Sequence, residues 1–300
     1  MNNQEEPPRS VDSAQIVPAE LVEPSQDALI AKLSAGRSHK YARFVVAALS
    51  SIPWVGGFVA ASASLSAERE QEGINELQRM WLEEHKEKIK ELNATLADIF
   101  IRLENFGDDV KQRIESPEYL ALVKKAFRSW DEADTESKKQ MFKKLITNAG
   151  AINLCPDDLI RLFLHWIELY DETHFIVIKE IYPHANITRG QIWDIIHDVR
   201  PREDSSEADL FRYLIRDLST GGVIRQARET DMSGHFLKRD TRGQSHQSSG
   251  RLMESAFEET KPYVLTELGK KFVHYVMEDV VPQIASAADN TDDTSYQEHN

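Results

Sequence analysis

The stretch FVVAALSSIPWVGGFVAASASLSA, residues 44–67, decides how this chain is interpreted, because it runs for 24 residues without a charged side chain. About 20 apolar residues in a helix are enough to cross a bilayer, so membrane insertion has to be considered. Pro53 removes a backbone donor, and Gly56 and Gly57 each lower helix stability by about 1 kcal/mol. We therefore expect the helix to break there and predict a helical hairpin rather than one spanning helix.

Two destinations for this hairpin stay open. Arg37, Lys40 and Arg43 precede it, so residues 25–67 form a basic-flanked segment in a chain whose net charge is −14. The hairpin is either buried within the protein or associated with a membrane, and its serines dilute the apolar run. The residues of the predicted membrane hairpin are Phe44, Val45, Val46, Leu49, Ile52, Pro53, Trp54, Gly56, Gly57, Phe58 and Val59.

Length and cysteine content exclude several protein classes. A chain of 300 residues can bury the cores of two domains without disulfides. The single cysteine, Cys155, excludes an internal disulfide framework and a multi-thiolate zinc site, and it favours a reducing compartment. The acidic, proline-containing start MNNQEEPPRS is not that of a secretory signal. We predict a cytoplasmic protein that associates with the inner membrane if the hairpin inserts.

Composition divides the chain into five segments. Residues 1–24 and 281–300 are acidic tails that are predicted to be disordered. Between them lie the hairpin at 25–67, a predicted helical bundle at 68–170 and a carboxyl-terminal domain at 171–280. The predicted fold class is therefore mainly α.

The middle segment carries a long heptad pattern. Apolar residues recur at alternating intervals of three and four, which is typical of one seam of a packed helix. The seam faces either its own chain or a second copy, as in a coiled coil, and the intrachain bundle is the simpler interpretation. The residues of the seam are Leu82, Ile89, Leu92, Leu96, Ile99, Leu103 and Phe106.

The sequence of the carboxyl-terminal domain predicts short helices, a glycine turn, two strands and a closing helix. Thr188 and Gln191 have the spacing of a capping box, and Thr266 is placed to cap the closing helix. The sequences LFRYLIRDLSTGGVI at 210–224 and YVLTELGKKFVHYV at 263–276 resemble a winged-helix domain. The resemblance implies either DNA binding by the third helix or a protein-binding module on the same fold.

Charge gives a mixed answer about the partner of this domain. The third helix has three acidic residues against two basic ones, which is poor for contact with phosphates, and the acidic domain favours a protein partner over DNA. The wing between the strands is more basic and would be the part that contacts DNA. The candidate contact residues for nucleic acid or a protein partner are Arg212, Arg216, Arg225, Arg228, Lys238, Arg239, Arg242 and Arg251.

Catalytic motifs are absent from the sequence. It contains no phosphate-cradling glycine loop, dinucleotide fingerprint, HExxH or serine elbow, and its histidines lack metal-ligand spacing. HEPN-type nucleases use an arginine and a histidine separated by a few residues, and three pairs fit this loose spacing by chance. We predict no catalytic residue, cofactor or metal. The pairs are Arg79 with His85, Arg228 with His235, and Arg239 with His246.

The order of segments carries a further resemblance. A glycine-proline hairpin, a long charged helix and the helix ESKKQMFKKLITNAGA at 136–151 resemble bacterial abortive-infection proteins. This resemblance implies a non-enzymatic role in phage defence or toxicity through the membrane, with the winged helix binding a protein partner or a second copy. The alternative is a winged-helix transcriptional regulator with a helical oligomerisation arm, and the third hypothesis is a HEPN-like ribonuclease.

Overall fold

The computed structural model describes residues 41–57, 71–106, 109–152, 155–184, 186–228, 232–233, 235, 237 and 255–278. These residues are mainly helical, which confirms the mainly α class, whereas the hairpin and the winged-helix arrangement stay predictions. The helices are α1 (Ala42–Ser51), α2 (Gln71–Glu84), α3 (Lys86–Glu104), α4 (Asp109–Ile114), α5 (Pro117–Asp131), α6 (Glu136–Ala151), α7 (Asp157–Leu169), α8 (Glu172–Ile181), α9 (Arg189–Ile196), α10 (Ser206–Thr220) and α11 (Glu267–Val276).

Two short strands form a ribbon between α10 and α11. Strand β1 (Ile224–Gln226) pairs antiparallel with β2 (Tyr263–Leu265), with Ile224 opposite Leu265. Ile187, just before α9, adds an antiparallel bridge to Tyr263. The ribbon thus connects the start of α9 to the end of α10.

Helix α1 packs against α5 and has an almost entirely buried face. The ring of Phe44 lies 5.5 Å from Phe100 and 6.0 Å from Phe127, both in edge-on contact. The helix ends at Ser51, and Ile52 is extended, with ψ near 116°. A residue before proline is disfavoured in the helical conformation, so Pro53 explains the interruption at Ile52. Residues 53–57 are helical again, so the expected break at Gly56 and Gly57 is wrong.

The predicted heptad seam is buried against its own chain from Leu92 to Leu103, whereas Leu82 lies on α2 and is 37% exposed. Leu92, Leu96 and Ile99 are at most 1% exposed, and α3 packs on α6. Two ion pairs flank the contact: Lys139 Nζ lies 2.6 Å from Glu91 Oε1, and Lys143 Nζ lies 2.8 Å from Asp98 Oδ2. These contacts support the intrachain interpretation, whereas assembly with a second copy stays a prediction.

The closing helix α11 packs on α6 and α7. The ring of Phe272 lies 5.6 Å from Phe163 and 5.4 Å from Trp166. The side-chain amide of Asn148 donates to the Tyr275 carbonyl at 2.9 Å. Buried hydrophobic residues therefore continue across the predicted boundary between residues 170 and 171. The division into domains stays a prediction.

Local sequence chemistry sets the ends of the carboxyl-terminal helices. Thr188 and Gln191 form the predicted capping box, and the Gly269 N–H donates to Thr266 Oγ1 at 2.9 Å, which confirms both caps. Gly222 turns the chain from α10 into β1 with φ of 77°, in the left-handed region that favours glycine. This turn brings the ribbon back beside α10.

Candidate nucleic-acid interface

A concave cleft of about 630 Å³ lies between the carboxyl-terminal half of α10 and the ribbon. We call it the arginine cleft, because the described residues that line it include five arginines and no acidic residue. Its lining residues are Arg189, Arg212, Ile215, Arg216, Ser219, Ile224, Arg225, Gln226, Arg228 and Tyr263.

The periodicity of α10 directs two of these arginines toward the ribbon. Arg212, Arg216 and Ser219 are spaced by four and three residues, so they lie on one face of the helix. Leu214 and Leu218 are buried on another face and hold α10 in the core. The same amphipathic pattern that anchors the helix therefore presents its arginines to the cleft.

Arg189 enters the cleft from the first residue of α9. Its guanidinium lies over the Tyr263 ring at 5.4 Å and donates from Nη2 to the Tyr263 hydroxyl at 2.7 Å. Nη1 also donates to the Ser255 carbonyl at 3.3 Å. Tyr263 is only 3% exposed, so a buried ring and a neutral hydroxyl fix the orientation of a cation.

Arg212 and Arg216 differ in how far their charges are neutralised. Arg212 forms ion pairs with Glu203 and, at 2.7 Å, with Asp209. Arg216 is exposed, and no described residue forms an ion pair with its guanidinium. Arg216 therefore offers a cation to an anionic ligand, whereas Arg212 mainly joins α10 to the preceding loop.

The amino-terminal end of α10 has the opposite character. Burial raises the pKa of Glu203, but hydrogen bonds from Ser255, Ala256 and Arg212 together lower it. Hydrogen bonds to its own backbone and to Ser205 lower the pKa of Glu207. Both carboxylates are therefore charged at neutral pH. The helix has an acidic amino-terminal end and a basic face toward the cleft.

The structure brings together four of the eight arginines and lysines predicted from the sequence. Arg212, Arg216, Arg225 and Arg228 all line the arginine cleft. The remaining four, Lys238, Arg239, Arg242 and Arg251, lie outside the described residues. The sequence analysis missed Arg189, because its only local signal was a position next to a capping threonine. The bridge between Ile187 and Tyr263 places it in the cleft.

The apolar segment, residues 44–55, is enclosed for most of its length by its own chain. Phe44, Val45, Leu49 and Ile52 are at most 3% exposed, whereas Val46 is 40% exposed. Trp54 is half-buried, and Pro53, Gly56 and Gly57 are exposed. Phe58 and Val59 lie outside the described residues. No helix in the described ranges has the length and apolarity needed to cross a membrane.

Trp54 connects the end of the apolar segment to two neighbouring elements. Its indole N–H donates to Asp131 Oδ1 of α5 at 2.7 Å. Its ring stacks on His85 at 5.0 Å, and His85 in turn stacks on Trp81 at 5.0 Å. The break after α1 is therefore attached to α5 and to the α2–α3 junction.

The residues of the nuclease hypothesis have other partners in the structure. Arg79 forms an exposed ion pair with Glu76 at 2.9 Å, while the His85 ring stacks on both Trp54 and Trp81, whose rings also contact each other. Arg228 lines the cleft, and Arg239 and His246 lie outside the described residues. Cys155 is buried. In the described part of the chain, no group of three or more His, Cys, Asp or Glu side chains could hold a metal ion.

A buried histidine joins α8 to α10 away from the cleft. His174 Nδ1 accepts from the Asp171 N–H at 3.1 Å, and Nε2 lies 3.3 Å from Asp217 Oδ2. The imidazole stacks on Tyr170 at 5.0 Å. Burial lowers the pKa of His174 although Asp217 and Asp171 act in the other direction. The same burial raises the pKa of Tyr170 to about 12.

No family model, curated protein or solved structure matches this chain.

Proposed function

We propose that this protein binds nucleic acid through the arginine cleft of a winged-helix-like module, and that the helical bundle is the body to which the module is attached. The order of elements supports the module: helix α8, a bridging residue, helices α9 and α10, a ribbon and a closing helix. This proposal develops the alternative hypothesis from the sequence, a winged-helix regulator.

The observation that carries the proposal is the convergence of five arginines on one concave surface. Proteins bind nucleic acid largely by neutralising phosphates with arginine and lysine, and a local concentration of guanidinium groups matters more than the overall charge. The net charge of −14 is therefore compatible with binding at this surface. The acidic remainder of the surface would limit contact to the cleft.

A charge reversal in the cleft tests the proposal. We expect Arg216→Glu to weaken binding of a fluorescein-labelled oligonucleotide by at least tenfold, because it removes an accessible cation and adds repulsion. Fluorescence anisotropy measures the affinity at 50 and 200 mM salt. Binding by the wild-type chain should weaken steeply with salt, as counterions are released from phosphates.

Arg128→Glu is the matched control for that experiment. Arg128 is also an exposed arginine on a helix, but it belongs to α5 and pairs with Glu132. We expect it to bind like the wild type. An equal loss in both variants would indicate a general charge effect and would contradict binding at the cleft.

The defence hypothesis stays a prediction. Membrane association would require the apolar segment to leave its contacts with α5, where Phe44 and Ile52 are buried. A sedimentation assay with lipid vesicles tests it separately from the oligonucleotide assay, since the two surfaces share no residue. Protein in the vesicle pellet after a high-salt wash would support the membrane role.

A further inference from the structure

We infer that the arginine cleft takes a single nucleic-acid strand rather than a duplex. The inference rests on the proposed function and names its ligand class. It follows from the shape of the cleft, from the distribution of charge along α10 and from the way Arg189 is held.

The shape of the cleft favours a convex ligand. A duplex presents a concave major groove and is read by a protruding helix or ribbon. The arginines here are on the walls of a cleft of about 630 Å³, a volume in the range of small-ligand pockets, about 300–1,000 Å³. A few nucleotides of one strand fit a cavity of this kind. The major groove of a duplex is itself concave and cannot insert into the cleft.

The charge along α10 opposes insertion into a duplex. A recognition helix places its amino-terminal residues in the major groove, between two lines of phosphates. At that end of α10, Asp204 and Asp209 are more than 70% exposed, and Glu203 and Glu207 add two further carboxylates. Arg202 and Arg212 pair with three of these carboxylates, so the end keeps an excess of negative charge that insertion would bring close to both phosphate backbones.

The basic face of α10 lies toward its carboxyl-terminal end and faces the ribbon across the cleft. Arg216 is directed into the cleft from the helix, and Arg225 lines the cleft from β1. Cations on two facing walls can neutralise consecutive phosphates of one strand that runs between them. This arrangement separates the strand from the acidic end of the helix.

Arg189 adds a fixed planar group to the same cleft. Its contacts with the Tyr263 ring and hydroxyl hold the guanidinium in one orientation. Guanidinium planes stack on unpaired bases and also bind phosphates in a bidentate manner. Unpaired bases are accessible for stacking in a single strand and are not accessible in a duplex.

A comparison of one labelled strand in two states tests this inference. The probe is a fluorescein-labelled 12-nucleotide DNA of mixed sequence, alone or annealed to its complement, titrated with the full chain at 50 mM salt. We expect the single strand to bind at least tenfold more tightly. We also expect Arg216→Glu to remove this preference and Arg128→Glu to retain it, with folding of both variants verified by circular dichroism.

The outcomes separate this inference from the proposed function. Equal or tighter binding of the duplex overturns the single-strand inference and leaves nucleic-acid binding in place. Failure of both probes to bind overturns the proposed function itself. Single-strand binding that Arg216→Glu does not change places the strand outside the cleft and overturns the inference.

Discussion

The apolar segment and the arginine cleft differ strongly in charge and in exposure to solvent. The first has no charged side chain and is closed by α5, with Phe44 and Ile52 at most 1% exposed. The second is lined by guanidinium groups and stays open to solvent. Apolar surface is removed from water when any complementary surface is available, whereas arginines stay hydrated unless a strong anionic partner replaces water.

This difference shows which of the two features, the uncharged segment or the cluster of arginines, is more informative about function. The side chains of an uncharged segment can be buried by other helices of the same chain, so the segment does not require an external partner. Arg212 is already paired with Glu203 and Asp209, but Arg216 is exposed and forms no ion pair with a described residue. An anion that enters the cleft would therefore gain a favourable interaction with this cation. The cleft is therefore the stronger indication of a ligand.

The largest expected effect is on the apolar segment. We expect Phe44→Ala to lower the free energy of unfolding by about 3–5 kcal/mol, because it leaves a cavity among Phe100, Tyr119 and Phe127. Urea unfolding followed by circular dichroism measures the loss. Val46→Ala, at an exposed position of the same helix, should stay within about 0.5 kcal/mol. A Phe44→Ala loss under about 1 kcal/mol would show that the segment is not core in solution.

The second prediction concerns the support of Arg189 in the cleft. Tyr263→Phe keeps the buried ring and removes the hydroxyl that accepts from the guanidinium at 2.7 Å. We expect a roughly fivefold weaker affinity for the single strand, equivalent to about 1 kcal/mol. The slope of log affinity against log salt should also become shallower by up to about 0.7, the contribution of one phosphate contact.

Tyr213→Phe is the control for that variant. Tyr213 is an exposed tyrosine on α10 that contacts His174 at 6.1 Å and does not line the cleft. We expect its affinity and salt slope to match the wild type. A normal salt slope in Tyr263→Phe would contradict a positioning role for the Tyr263 hydroxyl.

Much of the local structure was predictable from the sequence. The capping box at Thr188, the cap at Thr266 and the proline start of α5 after Ser116 all follow from contacts within four residues. The interruption at Ile52 follows from the proline after it. These features need no knowledge of the tertiary fold, so periodicity and capping chemistry were sufficient.

Features made by distant residues were not predictable in the same way. Helix α1 packs on α5, which begins 66 residues after Ser51 in the sequence, and nothing in residues 44–55 identifies that partner. Arg189 and Tyr263 are 74 residues apart. The sequence identified the arginines at 212, 216, 225 and 228 as candidate contacts from their places in the third helix and the wing. It did not show that they line one cleft, because this depends on the turn at Gly222 and on the ribbon register.

The third prediction concerns the contact that attaches the end of the apolar segment to α5. Trp54→Phe keeps an aromatic ring and removes the indole N–H that donates to Asp131. We expect the free energy of unfolding to fall by about 1 kcal/mol, since one hydrogen bond to a half-exposed carboxylate is lost. Oligonucleotide affinity should not change. Unaltered urea unfolding would mean that this contact contributes nothing to the closure of the segment.

The smallest effect concerns His174, which joins α8 to α10. Because burial lowers its pKa in the folded protein, the unfolded chain binds a proton more readily than the folded chain does. Its contribution to stability is therefore complete above the ordinary histidine pKa of about 6.5 and is lost as the pH falls below that value. Asp217 and Asp171 face the ring and reduce this loss, so we expect the decline to be shallow.

Substitution of the histidine separates this decline from the titration of carboxylates. His174→Asn retains a side-chain acceptor for the Asp171 N–H but has no proton to gain. Urea unfolding at pH 7.5 and 5.5 should give a smaller difference for His174→Asn than for the wild type. A difference of the same size in both proteins would assign the pH dependence to other groups. Oligonucleotide affinity at the two pH values then tells whether a change at this junction reaches Arg216, which is adjacent to Asp217 on α10.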